Sequence, residues 1–444
     1  MTGLFREAPA HWRTLRLRET VTTCSNGIWG SDACGGEDDI VCVRVADFDR
    51  VRLRVDLSNP TVRSVPQAYR HRRMLAHDDL LLEKSGGGEN QPAGVVVLYD
   101  ACTPAVPSNF IARMQVAPGF DPRYLCYLHA ALFYLGVNRR SIHQTTGIQN
   151  LDSAAYLSEE VRIPALAEQR EAAAALDRKF ALVDQLVLNK ERQLALLREK
   201  RQAWIDSAMV SGTNPRVPRR YSAALLGAEI PAHWQVTRLK FVRSGAFQYG
   251  ANEPAVSEDR AAPRYIRITD LNDDGTLRGD TFQSLPEPLA APYLLQDGDI
   301  LLARSGATVG KALRYRAEWG CACFAGYLVR LRPDRRKILP DYLYYYTQSQ
   351  AFRRQVWVST VQSTIANVNA ERFGNFSIPL APLEEQPGIV KFLDERTQKL
   401  DALGRVVERQ LAKLREYRRA LIVSAVTTGC EGRTAVAKSA REGV

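Results

Sequence analysis

Residues 191–208, ERQLALLREKRQAWIDSA, return at 408–425 as ERQLAKLREYRRALIVSA, with 13 of 18 positions identical. The offset of 217 also holds upstream, where Glu168-Gln169 matches Glu385-Gln386, Asp177 matches Asp394 and Asp184 matches Asp401. Downstream it holds at Gly212 and Gly429. A repeat of this length marks a duplication, so what the repeated piece is decides the architecture.

Both copies read as long helices. In the first, Leu176, Phe180, Val183, Val187, Leu194, Leu197, Trp204 and Ala208 recur at alternating steps of four and three, interrupted by Lys190 and Arg201. In the second, Leu393, Leu400, Val407, Leu411, Leu414, Leu421 and Ala425 hold the equivalent stripe. Such alternation gives the 3.5-residue period of a coiled-coil seam. At 1.5 Å per residue, a helix over 166–208 would run roughly 60 Å. Arg201 and Arg418 break the seam at the same place, either as a polar layer that fixes register or as the point where the helices part.

The segments around the helices repeat more loosely. PAHW occurs at 9–12 and at 231–234, each time leading into an Arg-Leu pair. VRVAD (43–47) faces IRITD (266–270), DLLLEKSG (79–86) faces DILLARSG (299–306), and PRYLCYL (122–128) faces PDYLYYY (340–346). HQTTGIQNLD (143–152) faces VQSTIANVN (361–369), and each segment closes on Ile-Pro. Apolar runs such as GVVVLY and YLVRLRP predict strands between Gly, Pro and Asp turns. DPRYLCYLHAALFYLG and LPDYLYYYTQSQAFRRQV predict helices opened by Pro. The expected order is globule, helix, globule, helix: residues 1–164, 165–212, 213–380 and 381–430, with a disordered tail at 431–444. The class is α+β, two mixed α/β globules alternating with two long helices around an internal pseudo-twofold repeat.

Composition narrows the partners. Sixty Lys plus Arg against forty-nine Asp plus Glu gives +11, a surplus that favours a polyanion, nucleic acid before membrane. The chain has no apolar run long enough for a bilayer, and MTGLFREAPAHW lacks a signal-peptide core, so a cytoplasmic location is expected. Eight cysteines show neither a disulfide framework nor zinc-ligand spacing; they read as reduced thiols, and no metal site is expected.

This order of segments resembles the specificity (S) subunit of type I restriction–modification enzymes. The residues that carry the resemblance are Ile230-Pro231 with His233-Trp234 and Arg238-Leu239-Lys240, LLARSGATVGK at 301–311, and SIPLAPLEEQ at 377–386 followed by IVKFLDERTQKLD at 389–401. The first half departs from the pattern: its helix opens IPALAEQREAAAALDRKF, and its central loop is LLEKSGGGENQPAG. The resemblance implies two target-recognition domains, each reading half of a split double-stranded DNA site. It implies helices packed as an antiparallel coiled coil, two docked modification (M) methyltransferase subunits, and in some complexes a restriction (R) motor–nuclease subunit. It also implies that the S subunit performs no chemistry and carries no cofactor, S-adenosylmethionine belonging to M. Trp12, Trp234, Arg198, Arg201, Arg415 and Arg418 are the candidates for subunit binding, although the two Trp residues suit packing of each globule against the helices better.

DNA contact calls for glycine-rich backbone beside cations and for uncharged donors that reach base edges. Lys84, Ser85, Gly86, Gly87 and Asn90 fit in the first globule, and Arg304, Ser305, Gly306, Thr308 and Lys311 in the second. Lys84 matches Arg304, whereas Glu83 matches Ala303, so only the positive charge is shared. A second group is Gln144, Thr146, Gln149 and Asn150, with Gln362, Ser363, Thr364 and Asn367 opposite; helix capping is its competing explanation. Tyr249 and Trp29 could stack near DNA, but buried aromatics are the expectation.

Catalysis finds no support in the motifs. GATVGKA (306–312) is one residue short of a phosphate loop and has Ala after its Lys; no GxGxxG occurs. The rival to a DNA reader is a duplicated coiled-coil adaptor that binds proteins. Steeply salt-dependent DNA affinity separates the two.

Overall fold

The computed structural model describes residues 3–88, 91–145, 148–225, 227–255, 257–272, 275–360 and 367–429. They form two compact units, one of residues 1–190 with 409–444 and one of 191–408, so the division falls inside both long helices. Asn90, Thr146, Gln362, Ser363, Thr364 and the tail from 431 lie outside the described residues. No helix among the described residues is long and apolar enough to cross a membrane.

In the first unit the strand Asp79–Glu83 is buried along its whole length, which is why DLLLE shows no alternation. It lies between Ile111–Val116 and Val96–Tyr99, antiparallel to both, in a six-stranded sheet. A four-stranded sheet built on Asp39–Val43 stands beside it. Helix Pro122–Tyr134 starts with proline after the cap Asp121, whose side chain accepts from the Tyr124 N–H. The second unit repeats the frame with fewer strands: Ile300–Ala303 lies between Leu328–Leu331 and Ala312–Arg314, with Gln248–Tyr249 at the edge. The helical stretch after Leu339 is two helices, Pro340–Gln348 and Gln350–Thr360. They part at Ser349, whose backbone is extended and whose hydroxyl donates to the Tyr346 carbonyl.

The long helices span Leu166–Ser211 and Gln386–Thr427. In the first unit they run antiparallel. Arg418 pairs with Asp184, while nearer the start of the first helix Gly429 approaches Glu168. Ala172, Ala173, Leu176 and Phe180 share one apolar core with Ile422, Ala425 and Val426. In the second unit Arg201 pairs with Asp401 at 2.9 Å and Trp204 meets Phe392 edge-on, again antiparallel. Ile205, Ala208 and Met209 enter a core with Ile389 and Leu393. Arg201 and Arg418 are therefore a polar layer made twice, with the helices exchanging roles.

The other repeated polar residues fasten globule to helix. Trp12 Nε1 donates to Glu168 (2.9 Å) and Trp234 Nε1 to Glu385 (3.1 Å). His11 and His233 reach the second oxygen of the same carboxylates. Gln169 accepts from the Asp121 N–H at 2.8 Å, and Gln386 from the Leu339 N–H at 2.7 Å, so each holds the cap of its globule's helix. Tyr127 donates to Asp177 and Tyr345 to Asp394. Gly212 and Gly429 both take left-handed backbone; a Cβ at Gly212 would crowd Trp234 at 3.2 Å, and one at Gly429 would touch Trp12 at 3.5 Å.

Candidate nucleic-acid interface

A cation follows each central strand, Lys84 after Glu83 and Arg304 after Ala303. In the first unit Glu83 closes the strand fully buried against Arg50 at 2.9 Å, and its desolvation pushes the carboxyl pKa up. Lys84 follows. Its N–H donates to the Phe110 carbonyl, and its own carbonyl accepts from Leu151 N–H at 2.7 Å. Ser85–Gly86 then pairs antiparallel with Gln149–Asn150, and the Ser85 hydroxyl donates to Asn150 Oδ1 at 2.6 Å. Gly87 must be glycine: its φ is +73° and a Cβ would sit 2.6 Å from the Gln91 carbonyl oxygen.

The second unit builds the same junction. Arg304 N–H donates to the Tyr327 carbonyl, and its carbonyl accepts from Val368 N–H at 2.8 Å. Ser305 bridges to Asn367 as Ser85 does to Asn150. Gln149 and Asn150 in the first unit and Asn367 in the second, far from the cations in sequence, thus meet the turn that follows each cation. Asn367 stands in the register of Asn150. Asp152 and Asn369, each two residues further on, supply the helix caps, so capping does not account for Asn150 or Asn367.

The exposure of the candidates sorts them. Tyr249 is 39% exposed, against the expectation of a buried ring; Arg304 lies over it at 4.8 Å, and its hydroxyl accepts from Ala370 N–H at 3.0 Å. Trp29 is also exposed, beneath Arg63 at 4.5 Å. In the sheet register Asn26 takes the place of Tyr249, so the first unit lacks that platform. Gln149 is buried and accepts from the Ala93 N–H, which makes it a brace of the loop. Gln144 pairs with Gln149 across adjacent strands. Lys311 turns inward and donates to the Leu271 carbonyl at 2.8 Å, away from the exposed turn that holds Gly306.

Of the subunit-binding candidates, Trp12 and Trp234 are 4% and 2% exposed and bonded to the helix starts, so packing is their role. Arg418 is buried over the Phe180 ring at 4.1 Å, and Arg201 is held by Asp401 and Gln348. Their charges are used within the fold. Arg198 stays exposed beside Glu408, and Arg415 lines a cavity of about 430 Å³ with Arg50, Arg139, Arg418, Arg419 and Tyr134. The equivalent cavity of the second unit, about 550 Å³, is lined by Arg201, Thr308, Lys311, Tyr344 and Arg353.

Among the described residues no group of His, Cys, Asp or Glu could hold a metal ion. The seven described cysteines are free thiols, and burial pushes Cys42 up to about 11 and Cys126 and Cys323 up to about 12.

Comparison with known proteins agrees with this geometry. The family model for the type I restriction modification DNA specificity domain matches residues 257–406. The chain is 25% identical over 324 residues to the type I restriction enzyme StySPI specificity subunit of Salmonella potsdam, covering 71% of this chain and 67% of that protein. It is 22% identical over 333 residues to the EcoBI specificity subunit of Escherichia coli, covering 72% and 69%. A chain solved in a study of complex assembly and conformational transition of the type I R-M system shares the fold, with TM-score 0.66 and 18% identity over 95% of this chain and 99% of that one.

Proposed function

This chain belongs to the type I restriction–modification specificity subunits, and on that premise we propose that it reads a bipartite DNA site, one half with each globule. The observation that carries the reading is the junction built twice. Ser85 pairs with Asn150 and Ser305 with Asn367, one residue after Lys84 and Arg304, so each junction carries a cation for phosphate or guanine and, at the next position, an amide suited to adenine. The frames match while the surrounding loops differ, which is what two different half-sites require.

The chain itself acts without chemistry of its own, in the cytoplasm. Base flipping and methyl transfer, with S-adenosylmethionine as donor, belong to two M subunits, and cleavage to an R subunit where one is present. Leucines that the seam leaves outside support docking on the helices: Leu182, Leu186 and Leu188 in the first unit, Leu196 and Leu403 in the second.

The test is the methylome of a host without competing methylation that expresses this chain with its M subunit. Two short fixed half-sites around an unspecified gap are expected. An assembled complex that marks no sequence would leave the adaptor reading in its place.

A further inference from the structure

The two central junctions share a feature that no local motif announces. Each cation donates its N–H to the carbonyl of an aromatic residue, Lys84 to Phe110 at 2.8 Å and Arg304 to Tyr327 at 3.0 Å. Both aromatics hold the third position of a four-residue turn. In Ser108–Ile111 the Ile111 N–H closes on the Ser108 carbonyl (3.0 Å), and in Ala325–Leu328 the Leu328 N–H closes on the Ala325 carbonyl (2.9 Å). Ser108 and Ile111 are buried, as are Ala325 and Leu328, yet Phe110 is 48% and Tyr327 64% exposed.

A single exposed aromatic is ordinary on a protein surface. Two at the same turn of a duplicated frame, each tied to the cation of its junction, are a shared device. The strings around them, SNFI and AGYL, share no identical residue. What the halves keep is an exposed aromatic residue whose carbonyl takes the backbone N–H of the basic residue.

We propose that Phe110 and Tyr327 are specificity-determining residues, each pressing its ring on the bases of the half-site that its neighbouring cation anchors. This deepens the reading of the chain as a DNA reader and rests on it. The turn fixes the backbone by two hydrogen bonds, so the ring is presented without ordering a loop. Apolar contact suits a thymine methyl in the major groove, which a hydrocarbon face reads and a phosphate contact cannot. Phe110 offers only that face. Tyr327 adds a hydroxyl for a base edge, so the two rings have different preferences.

The experiment is the methylome of the full chain with its M subunit, wild type against Phe110→Ala, Phe110→Leu, Tyr327→Ala and Tyr327→Phe. Phe110→Ala is expected to relax one or two positions of one half-site, with the penalty for a wrong base there falling roughly tenfold or more. The other half-site keeps its sequence. Tyr327→Ala should relax the opposite half, and Phe110→Leu and Tyr327→Phe should retain part of the preference. Unchanged base preference in both alanine variants would overturn the proposal, as would equal loss in both halves, the mark of a structural role. Failure of a folded variant to assemble with M would overturn it too, by making the rings partner contacts. If the assembled wild-type complex marks no sequence, the DNA-reading itself fails and takes this proposal with it.

Discussion

Asp184 accepts from Arg418 across the two long helices, and the Arg418 guanidinium lies 4.1 Å over the Phe180 ring. The same pair recurs as Asp401 with Arg201, but there the arginine is more exposed and has Gln348 as a second partner. Asp184 is 32% exposed, but removing it strands the buried Arg418 guanidinium, which costs more than the pair contributes. Asp184→Ala should therefore destabilise the chain by about 2–4 kcal/mol, and Asp401→Ala by less. Asp184→Ala with Arg418→Met should recover most of the loss. Urea unfolding of the purified variants gives the order; equal costs for the two aspartates would contradict it.

Arg304 and Lys84 differ in support. Arg304 rests on Tyr249, whose hydroxyl is tied to Ala370, while Asn26 stands in that register in the first unit. Replacing either cation with alanine should lower the salt slope of DNA binding by about 0.9 if it contacts one phosphate. Tyr249→Leu should weaken binding about two- to fivefold through loss of the cation–π contact, which contributes about 0.5–1 kcal/mol at an exposed site. Tyr249→Phe should retain most of the affinity. Titrations over a salt series measure both quantities, and a slope unchanged in Arg304→Ala would remove that residue from the phosphate-binding set.

The long helices were legible because their signal is local and long. Seam residues from Leu176 to Ala208 lie on one face, and the duplicate confirms the period. The repeated Glu168-Gln169 and Glu385-Gln386 were visible as matches, but their purpose was not. Their partners, Trp12 and Trp234 for the glutamates and Asp121 and Leu339 for the glutamines, lie 47 to 156 residues away in the chain. The junction was half legible: Lys84 and Arg304 stood out by charge, whereas the strand pairing that brings Asn150 and Asn367 to the serines that follow them is a tertiary fact. Gln149 shows the limit of residue type as a guide. An uncharged donor in a polar loop suits a base edge equally well as a buried brace, and only its bond to Ala93 decides. The break at Ser349 was hidden because both flanking helices share a helical pattern; a single extended residue interrupts it.

His129 gives the chain an acid-side liability. It is fully buried against the Tyr156 hydroxyl at 2.8 Å, and burial lowers its pKa to about 4. Its native form is neutral, while the unfolded chain takes up a proton below about 6.5. Because the folded pKa is the lower one, this contribution to stability is full above about pH 6.5, falls as pH drops and levels off near 4. The loss is about 3 kcal/mol over that window. Urea midpoints between pH 7 and 4 should fall more steeply in wild type than in His129→Gln. Parallel profiles would mean that the ring is already protonated in the fold.

Gln169 and Gln386 make the sharpest test of the duplicated fastening. Gln386 accepts from the Leu339 N–H and donates to the carbonyls of Lys337 and Ala381, both at 3.0 Å. Gln169 does the same with Asp121 and Pro164. Both are buried, so an apolar replacement leaves those backbone groups without water or partner, at about 1–3 kcal/mol for each orphaned group. Each glutamine holds the start of one globule helix, and the damage should stay there. Gln386→Leu is expected to speed hydrogen exchange in Pro340–Gln348 while leaving Pro122–Tyr134 at its wild-type rate, and Gln169→Leu should do the reverse. Exchange that rises in both helices in either variant would mean that the two fastenings are coupled, and the picture of two independently clamped globules would fail.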